Sequence, residues 1–515
     1  MGRRIENAYF LFLPLLAVSV LIYIVIAVRF IDYPGISDDE VRNVGRAVNV
    51  QLAGPSGDSD RDYIGIDWYE PRIGPLVFPG MWFPYRGGIL SYLAIRVFSV
   101  FGLSVASMRG LAVVISLAAL LLCTLFTGYA FGKREMILFP ALLLLYPPFV
   151  INSRLGLWTD MALIWFYSGA IGLLMLRFIR GGGLIAGISI FFLSGIACYD
   201  FALFFFLAAP VLAMAFFSGA AKRLNPVLKL LMPAAFATGF LPVILYYLNN
   251  PKQFIERLSV PAHEAVSFIG KISEFFVALA GDRVLIGAPL WQLPVFIFPA
   301  AVLAYLVRSV AVRMKDRNFE GVCIVILTFA LSLTLIFPRI FYNHYLLLLP
   351  LLVMLGTVAI VRLIRNFRLI AIFSGLLLVV FLNINHSYFS RYMTSGDASD
   401  FWPPNSVQRH LAAYLSSAGI HSPFTPVNEI PPIAIIHSGG RVLPREIPDA
   451  NSLQAGDFFI TYGQEYLRKE YLSRMDEIRF GLEKSRKKLR MVYSIPSMAQ
   501  NRDPVYIIYR VDPVE

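Results

Sequence analysis

The sequence predicts an all-α polytopic membrane domain over residues 1–386, followed by a soluble α/β domain over residues 387–515. Three observations predict it. The first is composition: 57% of the 515 residues are hydrophobic, only 15% are charged, and the mean hydropathy is +0.66. That leaves too little polar surface to cover a soluble globule of this length. The second is an alternation along the chain. Lys and Arg occupy every second break between apolar runs, at Arg3-Arg4, Lys133-Arg134, Arg177 with Arg180, Lys222-Arg223, 308–317 and 362–368. Short cationic loops stay on the cytoplasmic side of a membrane, so the breaks between them face outward. The third is an abrupt change after His386 to a polar composition with Pro403-Pro404, Pro431-Pro432 and short alternating stretches.

The elements follow in order. The first apolar run, 9–30, is longer than a signal-peptide core and meets Asp32-Tyr33-Pro34 with no small-residue cleavage site, so it reads as a retained span. At roughly 17–25 apolar residues per helix, and with charge deciding doubtful breaks, about eleven spans are expected. They lie near 8–30, 109–131, 136–151, 161–180, 182–198, 201–219, 229–248, 289–309, 320–337, 342–361 and 369–386. The stretch 88–104 carries Ser91, Tyr92, Arg96 and Ser99 and is read as a helix lying on the outer surface, because a span there would reverse every later loop. It closes a first outer loop, 31–108, in which Tyr63, Trp68, Tyr69, Trp82, Phe83 and Tyr85 argue against disorder. In the tail, 457–461 and 505–510 alternate like strands, and 407–418 and 465–488 read as helices. An odd number of spans from an inside N-terminus places the tail outside.

Composition also excludes. Much of the net charge of +12 sits in short loops beside apolar runs, where it orients helices and meets anionic lipid, so nucleic acid is not an expected partner. Cys123, Cys198 and Cys323 lie in or beside apolar runs without Cys-x-x-Cys spacing, which predicts core packing and no disulfide framework. There is no internal repeat, no phosphate-binding Gly-rich loop of the Walker type, and no matched pair of helix interruptions in two halves. The last absence weighs against a transporter built from inverted repeats.

The outward breaks hold the residues suited to chemistry. Asp38-Asp39-Glu40 follows the first span and precedes Arg42 and Arg46. Three adjacent carboxylates repel one another, so a cation, a basic partner or a raised pKa is expected there. The plain alternative is a solvated acidic turn capping a helix through 41–50. Pro84-Tyr85-Arg86-Gly87-Gly88 leads into the surface helix, Ser153-Arg154 and Asp160 precede the fourth span, Tyr199-Asp200 ends the fifth, and Pro338-Arg339-Ile340-Phe341-Tyr342-Asn343-His344-Tyr345 opens a late one.

In these motifs and their order the membrane part resembles the GT-C glycosyltransferases that use polyprenyl-phosphate sugars, particularly protein O-mannosyltransferases and lipid A aminoarabinose transferases. The resemblance implies catalytic roles for Asp39, Glu40 and Asp160, with Asp39 the general base and Asp38 an extra carboxylate that leaves the register open by one residue. It implies donor-phosphate contacts from Arg86, Arg154, Arg339 and His344, with Tyr85, Tyr342 and Tyr345 as secondary candidates. Arg86 stands where the family has Lys or His, Gly87-Gly88 replaces two prolines, and Cys198-Tyr199-Asp200 stands where relatives often carry a Lys.

The residue types suit this chemistry without the family name. Cations bind a lipid phosphate and stabilise the charge that grows on it as the glycosidic bond breaks. A carboxylate takes the acceptor's proton, and direct displacement inverts the anomeric carbon. The sequence names no certain cofactor: three adjacent carboxylates are able to hold a divalent cation, Mg or Mn, or simply to repel one another. The partners implied are a polyprenyl-phosphate sugar donor, a glycolipid such as lipid A, a polysaccharide or a protein as acceptor, and membrane lipids. The expected location is the inner (plasma) membrane with a periplasmic or extracytoplasmic tail. Two other classes fit less well: a transporter or flippase of lipid-linked saccharide, whose ionisable groups would lie near mid-membrane, and an inactive scaffold. Each residue also has a duller reading. Arg154 and Arg339 can snorkel to headgroups, His344 can bond between helices, Asp200 can serve a turn, and Trp68, Trp82 and Tyr85 can anchor the loop in the interface.

Overall fold

The computed structural model describes residues 12–32, 35–53, 63–64, 66, 68–83, 86–155, 161–252, 267, 270–271, 275, 297–311, 342–364, 366–395, 405–427, 430–447, 453–463, 469–496 and 504–514. The chain divides into two compact units. One comprises Met1–Arg29, Trp68–Gly88 and Ala112–Tyr388, the other Phe30–Asp67, Ile89–Leu111 and Phe389–Glu515. The first outer loop is thus divided: its 68–88 portion groups with the long apolar helices and its flanks with the tail.

Among the described residues six helices are long and apolar enough to cross a membrane: Phe12–Arg29, Val105–Ala130, Met161–Ile179, Gly183–Asp200, Tyr345–Leu363 and Phe367–Ser387. They coincide with six of the expected spans. Pro226–Gly239 and Leu241–Asn249, bent by 60°, make a seventh if the pair is one broken span. The expected spans near 136–151 and 201–219 are shorter than a full crossing. The first is Lys133–Leu145 followed by Pro147–Asn152, interrupted at Tyr146. Pro147 and Pro148 fit the first turn of a new helix, where their missing N–H groups have no partner to lose. The second is a 3-10 turn, Ala202–Phe204, running into Phe205–Phe217. Near 289–309 the described part is the helix Ile297–Ala311, and the span expected at 320–337 lies outside the described residues.

Packing within this unit relies on small residues and on polar side chains that satisfy freed backbone groups. Gly195 and Gly239 let Gly183–Asp200 and Leu231–Gly239 touch through their backbones. A Cβ at Gly195 would meet the Phe236 carbonyl oxygen at 2.3 Å, and one at Gly239 the Phe192 carbonyl oxygen at 2.4 Å. The Leu145 carbonyl at the break before Pro147 accepts from Asn385 Nδ2 at 2.9 Å. Trp165 Nε1 donates to the Leu346 carbonyl at 2.8 Å, within the 3-10 stretch Tyr342–Leu348. Two short hairpins complete the 68–88 portion: β1 (Arg72–Ile73) with β2 (Leu76–Val77), and β3 (Met81–Phe83) with β4 (Arg86–Gly87), both antiparallel.

The other unit contains a five-stranded mixed sheet in the order β6-β5-β7-β9-β8, where β5 is Phe424–Thr425, β6 Arg445–Glu446, β7 Phe458–Tyr462, β8 Lys487–Ile495 and β9 Tyr506–Pro513. Successive residues of β7 serve opposite cores, as a pleated strand requires. Ile460 packs with Leu411 and Ile430 from the helices Asn405–Ser417 and Ile430–Ser438. Phe459 packs with Ile478 and Leu482 from the helix Lys469–Lys484. The tail is therefore α/β, as expected, with strands where 457–461 and 505–510 alternate. One detail differs. The helix expected over 465–488 stops at Lys484, turns through Arg486 at a φ of 53°, and becomes β8. Pro431-Pro432 lies in the first turn of Ile430–Ser438.

The helices of the first outer loop also belong to this unit. Ile89–Phe101 is 13 residues long, or about 20 Å, too short to cross a hydrocarbon core of about 30 Å. The helix expected through 41–50 forms in two pieces, Asp38–Asn43 and Gly45–Ala53, separated at Val44.

Candidate functional site

The carboxylate triplet opens the helix Asp38–Asn43. Ser37 caps it: Glu40 N–H donates to Ser37 Oγ at 3.1 Å, and Ser37 N–H donates to Glu40 Oε2 at 3.2 Å, a reciprocal capping box. This box turns the Glu40 carboxylate back toward the helix start, where it meets Arg109. Arg109 Nε donates to Oε1 at 2.9 Å and Nη2 to Oε2 at 2.8 Å. Arg109 is fully buried, Glu40 is 1% exposed, and the same guanidinium donates to the carbonyls of Ile31 at 3.1 Å and Gly35 at 3.3 Å. A paired and hydrogen-bonded ion pair of this kind survives burial where either charge alone would not. Both Glu40 oxygens are bonded within the protein, which ties Glu40 to the helix start, whereas the neighbouring Asp39 is only part-buried.

Arg109 is the basic partner that the repelling triplet requires, and sequence reasoning did not include it among the site residues. Its signal is present: it is the sole charged residue in the apolar helix Val105–Ala130, and an ionisable group in such a run marks a function or a specific partner.

In the other unit, Arg86 lies in β4 and forms a bridge to Phe201. The two glycines after it are dictated by aromatic neighbours. A Cβ at Gly87 would lie 2.6 Å from Tyr199 Cζ, and one at Gly88 would lie 2.3 Å from Trp68 Cη2. The Tyr199 hydroxyl accepts from Gly88 N–H at 3.0 Å and donates to the Gly80 carbonyl at 2.5 Å. Tyr199, named in the sequence beside Asp200 but given no role of its own, thus ties both sides of the β3–β4 hairpin to the end of Gly183–Asp200. Asp200, read as a turn residue, is the last residue of that helix and is 2% exposed.

Arg154 follows Pro147–Asn152 and is fully buried, with Nε donating to the Val150 carbonyl at 3.2 Å. Next to it, Ser153 Oγ accepts from the Tyr23 hydroxyl at 2.8 Å, and the Ser153 carbonyl accepts from Ser116 Oγ at 3.3 Å. A headgroup anchor needs an exposed guanidinium, and Arg154 has none. Tyr342 and His344 lie in the 3-10 stretch Tyr342–Leu348, and Tyr345 is 2% exposed, edge-on to Phe275 with centroids 5.5 Å apart. Tyr85, Asp160 and Arg339 lie outside the described residues, and the backbone of Asp38 stands in the first turn of its helix.

A nearly all-apolar cavity in this unit is lined by Cys123, Phe126, Met175, Phe204, Leu351 and Met354, among others. Such a lining suits a hydrocarbon chain. Among the described residues no group of three or more His, Cys, Asp and Glu side chains is placed to share a metal ion.

No family model matches the chain, and no curated protein matches it. Among solved structures it is similar to ArnT from Cupriavidus metallidurans in the apo state, with a TM-score of 0.57 at 13% identity over 97% of this chain and 98% of that one. It is also similar to the same protein bound to undecaprenyl phosphate, with a TM-score of 0.54 at 14% identity over 96% of this chain and 97% of that one. At such identities the likeness is one of fold: the chain has the GT-C fold.

Proposed function

We propose that the chain is an integral membrane glycosyltransferase that moves a sugar from a polyprenyl-phosphate carrier to an acceptor at the outer face of the membrane. One observation carries this: nearly the whole chain shares its fold with a protein solved in complex with undecaprenyl phosphate. Buried Arg154, the tethered hairpin bearing Arg86 and the built helix bearing Asp39 support it.

In the proposed reaction the acceptor's hydroxyl or amino group attacks the anomeric carbon opposite the phosphate, and a carboxylate oxygen of Asp39 takes its proton. The bond from the anomeric carbon to the phosphate oxygen breaks, and its electron pair leaves with the phosphate. Arg86 and Arg154, aided by Arg339 and His344, stabilise that charge, and the configuration inverts. Asp160 supplies a second carboxylate, and Tyr85, Tyr342 and Tyr345 line the sugar or lipid. Because Arg109 takes both oxygens of Glu40, a Mg or Mn ion at the outer carboxylates would be held by Asp38 and Asp39. Restoring turnover with each metal after chelation tests that part separately. The acceptor class is a glycolipid such as lipid A, a polysaccharide or a protein, and the location is the inner membrane with the tail outside.

The test uses the purified full chain. It should bind undecaprenyl phosphate, and it should release that carrier from one member of a panel of undecaprenyl-phosphate sugars in the presence of lipid A, polysaccharide or peptide acceptors. Mass spectrometry of the acceptor identifies the product. Failure to bind the carrier, with no sugar transferred across the panel, overturns the proposal.

A further inference from the structure

The segment that leads into the Asp39 helix is held by one buried side chain from the tail. Ile36 N–H donates to Gln408 Oε1 at 3.0 Å, and Gln408 Nε2 donates to the Ile36 carbonyl at 2.9 Å. Both residues are fully buried. A side-chain amide carries a donor and an acceptor side by side, so it can occupy both backbone groups of a residue as a neighbouring strand would. His437 Nε2 lies 3.0 Å from Gln408 Oε1. Because the Ile36 N–H fixes Oε1 as the acceptor, His437 must donate there, and the amide's orientation is locked from two sides.

Ile36 immediately precedes the Ser37 cap, Asp39 is the second residue of the helix, and Val41 is its fourth. Ile36 and Val41 are both fully buried and occupy the two positions of a hydrophobic staple, which sets the angle at which chain enters helix. Beyond the staple, Glu40 is fixed by Arg109. Asp39 thus lies between two built anchors, Gln408 on Ile36 and Arg109 on Glu40, and only the second belongs to its own loop and the helix that follows.

We infer that Gln408 is a positioning residue for transfer: by clamping Ile36 it sets the direction from which Asp39 meets the acceptor. This rests on Asp39 acting as base in the proposed reaction. It gives the tail a part in the chemistry through one amide.

Gln408→Ala tests it, compared with wild type and Gln408→Glu in the purified full chain. Hydrogen exchange over 36–40 should quicken in Gln408→Ala. Undecaprenyl phosphate should bind as in wild type, and kcat should fall roughly 10- to 100-fold, as for a displaced reacting group. Gln408→Glu, which keeps the acceptor and loses the donor, should fall between. In an Asp39→Asn background, Gln408→Ala should lower the residual rate no further, an outcome that a generally weakened fold would not give. Quickened exchange with unchanged kcat overturns the inference, as does unchanged exchange or an equal loss in both backgrounds. If Asp39→Asn alone transfers normally, the base assignment fails instead, while exchange over 36–40 still reports whether the clamp exists. Should Gln408→Ala not fold, His437→Leu removes only the third bond of the amide. It should shift exchange and kcat in the same direction by less, and no change in either would equally overturn the inference.

Discussion

Adjacent carboxylates in one helical turn meet opposite fates here, and mutation separates them. Glu40 faces a buried guanidinium, so removing one partner strands the other charge. Glu40→Gln and Arg109→Leu should each destabilise the protein by about 3–5 kcal/mol, measured by thermal unfolding, and the double variant should recover part of that loss. Arg109→Lys should not rescue, because an ammonium cannot serve both carboxylate oxygens and two carbonyls in fixed geometry. Asp39→Asn should leave the melting temperature near wild type while lowering transfer roughly 100- to 10,000-fold. His437 offers a second residue-level test. Burial first, and the charges of Arg409 and Arg109 next, push its pKa down to about 3. Below the ordinary value of about 6.5, the unfolded chain binds a proton that the folded one refuses. Stability should therefore be fully present above that value and should fall as pH drops toward 3, by at most about 1.4 kcal/mol per pH unit. His437→Gln should flatten that part of the stability profile; an unchanged slope would place the titration elsewhere.

Elements were legible where one signal dominated. Met161–Ile179 and Gly183–Asp200 are apolar runs bounded by charge, and their expected limits match within a few residues. The tail strands Phe458–Tyr462 and Tyr506–Pro513 fall where short runs rich in aromatic and β-branched residues were read as strands. Elements were misread where tertiary pairing overrides local preference. Lys487–Ile495 has a cation-rich start that continues the preceding helical composition, and only its pairing with β9 makes it a strand. Asp39, Arg86 and Arg154, whose roles are proposed, stood out in the sequence as residue types in the breaks expected to face outward. The contacts of Arg109, Tyr199 and Gln408 did not, because each binds backbone or side-chain groups far away in sequence, which no spacing rule reaches. The glycines of Gly183–Asp200 and Leu231–Gly239 were likewise silent until the backbones were seen to meet. Gly195→Val and Gly239→Val should each cost about 1–3 kcal/mol as overpacking, read as a lowered melting temperature in detergent. The obstructing atoms are backbone carbonyls and cannot rotate away. Gly419→Ala, at a φ of 70° but with nothing within 4 Å of a Cβ, serves as a control in which only backbone strain is felt.

At the scale of the whole chain, parity links the fold to the membrane. Phe30 and Phe389 belong to one compact unit and stack with ring centroids 4.5 Å apart, and Asp32 pairs with Arg409 in the same unit. Two segments packed in this way are expected on one side of a bilayer, which calls for an even number of crossings between them. About eleven expected spans meet that condition, because ten of them follow the first. Reading 88–104 as an additional crossing would break it, and the 13-residue helix found there is too short to span. Charge gives the expected sides: the cationic breaks at Lys222-Arg223 and Arg362 are expected inside, and the tail with Asp39 is proposed to lie outside. Single cysteines placed in a background with Cys123, Cys198 and Cys323 replaced by Ser test both steps. Ala418 in the tail and Asn225 beside Arg223 are exposed in their own units, whereas Ser438 is buried and hydrogen-bonded and would give a false negative. An impermeant maleimide added to intact cells should label Ala418→Cys and not Asn225→Cys, with Asn225→Cys reacting only after the membrane is opened. Labelling of Asn225→Cys alone from outside would invert the topology. Labelling of both from outside would put an even number of crossings between Asn225 and the tail, against the five spans expected between 229 and 386, and would overturn the alternation of charge on which the assignment of sides rests.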